Sequence, residues 1–262
     1  MDPTKPAGVP PEPEPSAVGA AVAQALGEAE RRKDELLRAL GHELRNPLSA
    51  LTTSLHLLRQ DRLGPESRTR TMDLMQSQVQ AMATLVDELL ELGRLNRGAV
   101  EMHPQVLDLG ALVAATVEDH REDAHARGVD LDLELPPRAL EARVDPLRFA
   151  QALGQLLDHA LLRAPRGTRV AVRLAGAEGG VQVSIGREGS GLPNGDAGVF
   201  EPFSPAGTGH GATGLGLALA RALVEHQGGR AWARSEDRGA ALGLWVPPPN
   251  GPDPRGEGLP GS

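Results

Sequence analysis

Leu37, Leu40, Leu44, Leu48 and Leu51 recur at steps of three and four residues. That spacing lays one apolar stripe along a helix. The helix begins near Ala17–Leu26, continues through the mixed charges of Glu28–Glu35 as a signalling helix, and is predicted to run to about Gln60. Gly64 and Pro65 break it. A second helix follows, with Met72, Met75, Val79, Met82, Val86, Leu89 and Leu92 at helical spacing and Gly98 as its C-cap. The two form an αα-hairpin. A hairpin with one wide apolar face cannot bury that face alone. Two hairpins joined in a four-helix bundle are therefore expected, giving a homodimer through residues 30–97. The alternative is a monomer whose hairpin packs on the C-terminal domain.

After Gly98 the pattern changes. Residues 99–106 read as a linker and first strand, and Leu107–Arg127 as one helix ending at Gly128. Val129, Leu131, Leu133 and Leu135 alternate with acidic residues, as in a half-buried strand. Pro146–Ala164 suit a helix. Val170–Leu174 and Val181–Ile185 suit strands joined by a turn at Gly179-Gly180. Thr213–His226 form a helix, and Ala231–Arg234 with Ala241–Val246 close the sheet. The fold class is α+β: a two-helix hairpin that dimerises as a four-helix bundle, followed by an α/β two-layer sandwich of helices on antiparallel-type strands. The expected divisions are a disordered lead and the start of the signalling helix at 1–27, the hairpin at 28–98, the sandwich at 99–247 and a disordered Pro/Gly-rich tail at 248–262.

Composition narrows the function. Aromatic residues make up 2% of the chain, so its cores must be built from Leu, Val and Ala. A net charge of −8 argues against a nucleic-acid binder. The absence of Cys rules out disulfides and thiolate metal sites. No stretch approaches the ~20 apolar residues of a membrane span and no secretory signal is visible, so a cytoplasmic protein is expected.

His42 lies off the apolar stripe, with Glu43 beside it and Asn46 one turn above on the same face. Pro47 cannot donate to the carbonyl four residues back, so a kink is expected next to His42. A neutral imidazole is a nucleophile, and a carboxylate can take or orient its ring proton. The run His42-Glu43-Leu44-Arg45-Asn46-Pro47 resembles the phospho-acceptor box of the two-component sensor histidine kinases at every fixed position. The resemblance implies His42 as phospho-acceptor, Glu43 as base, and Asn46 as the residue positioning water when the partner is dephosphorylated.

Gly209-His210-Gly211-Ala212-Thr213-Gly214-Leu215-Gly216-Leu217 opens the last helix. Glycines let the backbone approach a phosphate, and a helix N-terminus favours anions. This stretch resembles the second glycine box of the same family's Bergerat-fold ATP-binding domain. Val199–Phe203 resembles the box that precedes the lid, here a very short Ser204–His210. His210 reads as a surface residue of that lid. The likeness covers residues 28–247.

Two boxes depart from the family. Its D-x-G-x-G appears as Arg187-Glu188-Gly189-Ser190-Gly191. Gly189 and Gly191 are kept, but Arg187 has no acceptor for the adenine amino group that the family's Asp would bind. Glu188 turns to the opposite face of a strand. The family's N-L-L-x-N-A appears as Gln155-Leu156-Leu157-Asp158-His159-Ala160. His159 offers nitrogen where the family offers an amide oxygen to Mg²⁺. Gln155 keeps an amide oxygen one turn earlier, and Asp158 a carboxylate about 100° away around the helix. The nucleotide contacts implied are Gln155, Asp158, His159, Gly189, Gly191, Gly211, Thr213, Gly214, Leu215 and Gly216, with Gln155 and His159 as metal positions; the cofactors implied are ATP and Mg²⁺.

The expected function is a dimeric protein-histidine kinase. It transfers the γ-phosphoryl group of ATP to His42 and then to an aspartate on a response-regulator receiver domain. Arg187 and His159 point to a second reading, a pseudokinase acting as phosphotransfer protein or response-regulator phosphatase. A third is a scaffold that binds receivers without chemistry.

Overall fold

A computed structural model describes residues 17–60, 63–189, 191–192, 198–204, 208–209, 212–236 and 239–250. The disordered segments expected at the two ends fall largely outside these residues. The chain divides into two compact units, residues 1–42 and 43–262.

In the first unit the described residues belong to the opening part of α1 (Ala17–Arg59). The second unit starts within that helix. α1 stays helical through Pro47, whose ring removes only the bond to the Glu43 carbonyl. The break that follows is short, and Pro65 occupies the first turn of α2 (Pro65–Asn96), where a missing N–H costs nothing. Both helices end within a residue or two of the bounds expected from Leu and Met spacing.

The sandwich is built from β1 (Gln105–Asp108), α3 (Leu109–Asp119), α4 (Arg121–Arg127), β2 (Asp130–Glu134), β3 (Glu141–Val144), α5 (Pro146–Arg163), β4 (Arg169–Ala177), β5 (Gly180–Glu188), β6 (Thr208–Gly209), β7 (Ala212–Thr213), α6 (Gly216–Glu225), β8 (Arg230–Glu236) and β9 (Gly239–Val246). A 3-10 turn spans Gly198–Phe200. The main sheet has the order β2-β4-β5-β9-β8, and β1 pairs with β3 in a separate ribbon. Phe149, Leu153, Leu156, Leu157 and Leu161 on α5 are buried with Leu219 and Leu223 on α6 and with Val170, Val172, Val183, Ile185, Leu242 and Leu244 from the sheet. The core is therefore aliphatic, as the scarcity of aromatics requires.

Five details differ from the sequence expectation. The last helix starts at Gly216 rather than Thr213, because Ala212 and Thr213 pair with Gly209 and Thr208 as a short ribbon. The helix expected over 107–127 is two helices, because His120 ends α3 and its ring Nδ1 turns back to the Thr116 carbonyl at 2.7 Å. β2 runs parallel to β4, although the other ladders of the main sheet are antiparallel. β3 carries only two inward residues, Ala142 and Val144, too few to show as an alternation. The β4–β5 turn is made by Glu178 (φ 50°) and Gly179 (φ 75°), while Gly180 already pairs with Ala177.

Asp145 fixes where α5 starts. Its Oδ1 accepts from the N–H groups of Leu147 and Arg148 at 3.0 and 3.1 Å, capping the helix. Its Oδ2 accepts from the His103 N–H at 2.9 Å. Its own N–H donates to Gln227 Oε1 at 2.7 Å, tying α5 to the end of α6. The polar face of α5 is thereby held beside the loop that opens α6.

Candidate nucleotide-binding site

Gln151, Gln155 and His159 follow one another at four-residue steps on α5, with Asp158 and Leu162 beside them. Opposite lies the loop that opens α6. Thr213 ends β7, Gly214 takes a φ of 74°, and Leu215 is fully buried as an anchor. The Leu215 N–H donates to Thr213 Oγ1 at 3.3 Å. α6 then begins at Gly216 with no side-chain cap, so its amide ends are available to a ligand. A Cβ at Gly216 would stand 2.1 Å from Gln155 Oε1. Glycine is thus what allows the amide oxygen of α5 to reach the phosphate-type loop.

Between these elements lies a cavity of about 260 Å³. Gln155, Asp158, His159, Thr213, Gly214 and Gly216 all line it, so six of the ten expected contacts meet in one place. Leu215 is instead fully buried and does not line the cavity. Gly189 and Gly191 follow β5 and stand outside this lining; Gly189 has a φ of 123° and Gly191 sits against Ser235. Gly211 and His210 lie outside the described residues.

Arg187 is buried on β5 with 7% of its surface exposed, and its Nε and Nη1 make no hydrogen bond. Burial, and then the nearby charge of Arg163, lower its pKa. His159 is buried as well, in the wall of the cavity. Oxygen donors in that wall include Gln155 and Asp158, which suit a hard cation better than an imidazole nitrogen does.

On α1, His42 and Asn46 are exposed and Glu43 is half-buried. An exposed imidazole on a helix is free to be approached, as a nucleophile requires.

The structure adds residues that spacing did not single out. Thr84 and Glu88 of α2, and Arg127 at the end of α4, complete the cavity wall. Glu88 is buried with 6% of its surface exposed. Gln155 Nε2 donates to its Oε1 at 3.0 Å, and Thr213 Oγ1 donates to its Oε2. Burial raises its pKa, and the bonds from Thr213 and Gln155 oppose that rise. Glu88 shares one face of α2 with the buried Leu85, Leu92 and Leu95, a position that spacing alone does not mark as part of a site.

Comparison with known proteins places these features. Residues 32–98 match the His Kinase A (phospho-acceptor) domain, and residues 144–250 match the histidine kinase-, DNA gyrase B- and HSP90-like ATPase domain. The adaptive-response sensory kinase SasA of Synechococcus sp. strain CC9311 is 31% identical, over 82% of this chain and 57% of that protein. The full-length ShkA structure in complex with AMPPNP is similar over 84% of this chain and 47% of that one, at 25% identity and a TM-score of 0.61. Histidine kinase ThkA, solved with the response regulator TrrA, shares the fold over 86% of this chain and 66% of that one, at 19% identity and a TM-score of 0.67. The chain spans 27–57% of the length of the curated relatives compared. Among the described residues no helix is long and apolar enough to cross a membrane. With a phospho-acceptor domain followed by this ATPase domain, the chain belongs to the two-component histidine kinase family.

Proposed function

We propose that this chain is the catalytic core of an ATP-dependent protein-histidine kinase. The observation that carries the reading is the cavity at the α6 N-terminus, where Gln155, Asp158, Thr213, Gly214 and Gly216 converge. Thr213 and the uncapped α6 amides suit the phosphates, and Arg127 adds a positive charge to the wall. Gln155 Oε1 and the Asp158 carboxylate are the groups that would hold Mg²⁺, with His159 as a wall residue rather than a ligand. Bound there, the ion would neutralise phosphate charge.

His42 attacks the γ-phosphorus of ATP. The new bond is N–P, the bond to the bridging oxygen breaks, and ADP leaves. Glu43 takes the ring proton. Transfer to an aspartate carboxylate of a receiver domain regenerates the imidazole, and Asn46 positions water when that aspartyl phosphate is hydrolysed. Such transfers need positioning and charge neutralisation more than covalent help. The hairpin at 28–98 carries the acceptor and dimerises, and the ATP-binding domain spans 99–247. In support of the dimer, Met72, Val79 and Val86 stay exposed at seven-residue steps along α2.

Incubation with γ-labelled ATP and Mg²⁺ should give acid-labile label that is lost in His42→Gln. If the wild type takes no label from ATP, yet His42 is labelled by a phosphorylated receiver, the kinase reading fails. The phosphotransfer reading replaces it.

A further inference from the structure

The α6 N-terminus is already facing an anion. Glu88 Oε1 lies 3.6 Å from the position of a Cβ on Gly216, at the first residue of that helix. The two groups that grip its carboxylate, Thr213 Oγ1 and Gln155 Nε2, belong to the cavity assigned above to the triphosphate. A carboxylate held by a hydroxyl and an amide beside an uncapped helix end resembles a phosphate in charge and in hydrogen-bond demand. A second clamp lies one turn along α2. Glu91 accepts from Arg148 Nη1, and its Oε2 accepts from Gln151 Nε2 at 2.6 Å.

We infer that Glu88 is a built-in pseudo-ligand of the nucleotide site: α2 inserts it where the phosphates of a nucleoside triphosphate bind, and nucleotide must displace it. This rests on the assignment of that cavity to ATP. The contact is autoinhibitory. While Glu88 is seated, Thr213 and Gln155 are committed to it, and Arg148 and Gln151 hold α2 against α5. A nucleotide that expels Glu88 breaks the first grip, so nucleotide binding and loosening of α2 against α5 are coupled.

The test is the affinity of the whole chain for ATP with Mg²⁺, by titration calorimetry, in wild type, Glu88→Ala, Glu88→Gln and Glu91→Ala. A site seated nine-tenths of the time weakens apparent affinity about tenfold. Glu88→Ala should therefore bind about tenfold tighter than wild type. Glu88→Gln, which keeps the shape without the charge, should fall between. Glu91→Ala, which loosens the second clamp without touching the cavity, should also gain affinity. Amide exchange at residues 84–92 should rise when ATP is added to wild type.

Equal affinity in wild type and both Glu88 variants overturns the inference and leaves the ATP site standing. Weaker binding in both overturns it in favour of Glu88 as a ligand of the bound metal. No binding to Glu88→Ala at millimolar ATP, in protein that melts cooperatively, overturns both the inference and the nucleotide assignment.

Discussion

His120 Nε2 and Asp158 Oδ1 face each other at 3.5 Å across the gap between the α3 end and α5. The other ring nitrogen of His120 lies 2.7 Å from the Thr116 carbonyl, which can only accept. Both ring nitrogens are thus served best as donors, which is the protonated imidazole. The bond with Asp158 is the chief cause that raises the pKa of His120, against the opposing effect of burial.

A pH dependence follows. A raised pKa means that the folded state binds the proton more tightly than the unfolded state. The contribution is full below the ordinary imidazole value of 6.5 and is lost as pH rises through the raised value. Melting temperature should fall over that window in wild type and fall less in His120→Gln, as thermal scans at several pH values would read. Asp158 is largely exposed, so salt should shrink the effect. An identical pH slope in the variant would remove His120 as its source.

Arg187 should be replaceable at a gain. Its Nε and Nη1 are buried without a hydrogen bond, and the charge of Arg163 opposes its own. Met keeps the length of the side chain and removes the charge. Arg187→Met should stabilise the chain by about 1 kcal/mol or more in urea unfolding. A loss of stability would show that the guanidinium is held by something a methionine cannot supply.

The exposed α2 seam predicts a dimer. Val79 has 57% of its surface exposed although it sits in the middle of an apolar repeat. In a four-helix bundle it would be covered. Val79→Glu would then bury an unpaired charge at a cost of about 2–3 kcal/mol, roughly a hundredfold in dimer Kd. Light scattering coupled to size-exclusion chromatography should show dimer for wild type and monomer for the variant at micromolar concentration. A monomeric wild type would sink the dimer assignment.

Gly243 on β9 lets the Trp232 ring lie across the sheet. A Cβ there would stand 2.4 Å from the indole, whose position is shared with a cation–π contact from Arg234 at 5.6 Å. Gly243→Ala should destabilise by about 1–3 kcal/mol, with a drop in Tm of several degrees. Unchanged melting would mean that the ring moves aside at no cost.

The hairpin was legible because Leu and Met repeat at helical steps over several turns, and periodicity is additive along such lengths. The strands flanked by alternating charge, such as Leu131 and Leu133, were legible for the same reason. β3 was not, since two inward residues make no pattern. The split at His120 was not, because it depends on a side chain bonding its own backbone. At the site, glycines and amides could be read as motif, whereas Glu88 could not. Its role arises only where α2 meets α5 and β7, a contact between segments 67 and 125 residues apart. Sequence spacing also gave Asp158 a direction away from the site, yet it lines the cavity, because the cavity is wide enough to take in adjacent faces of α5.

Val86 and Glu88 are two residues apart on α2, which places them about 200° apart around its axis. One stays exposed and the other lines the cavity beside α6. Because both ride on one helix, turning α2 about its axis would swing the exposed seam and the cavity wall together, in fixed phase.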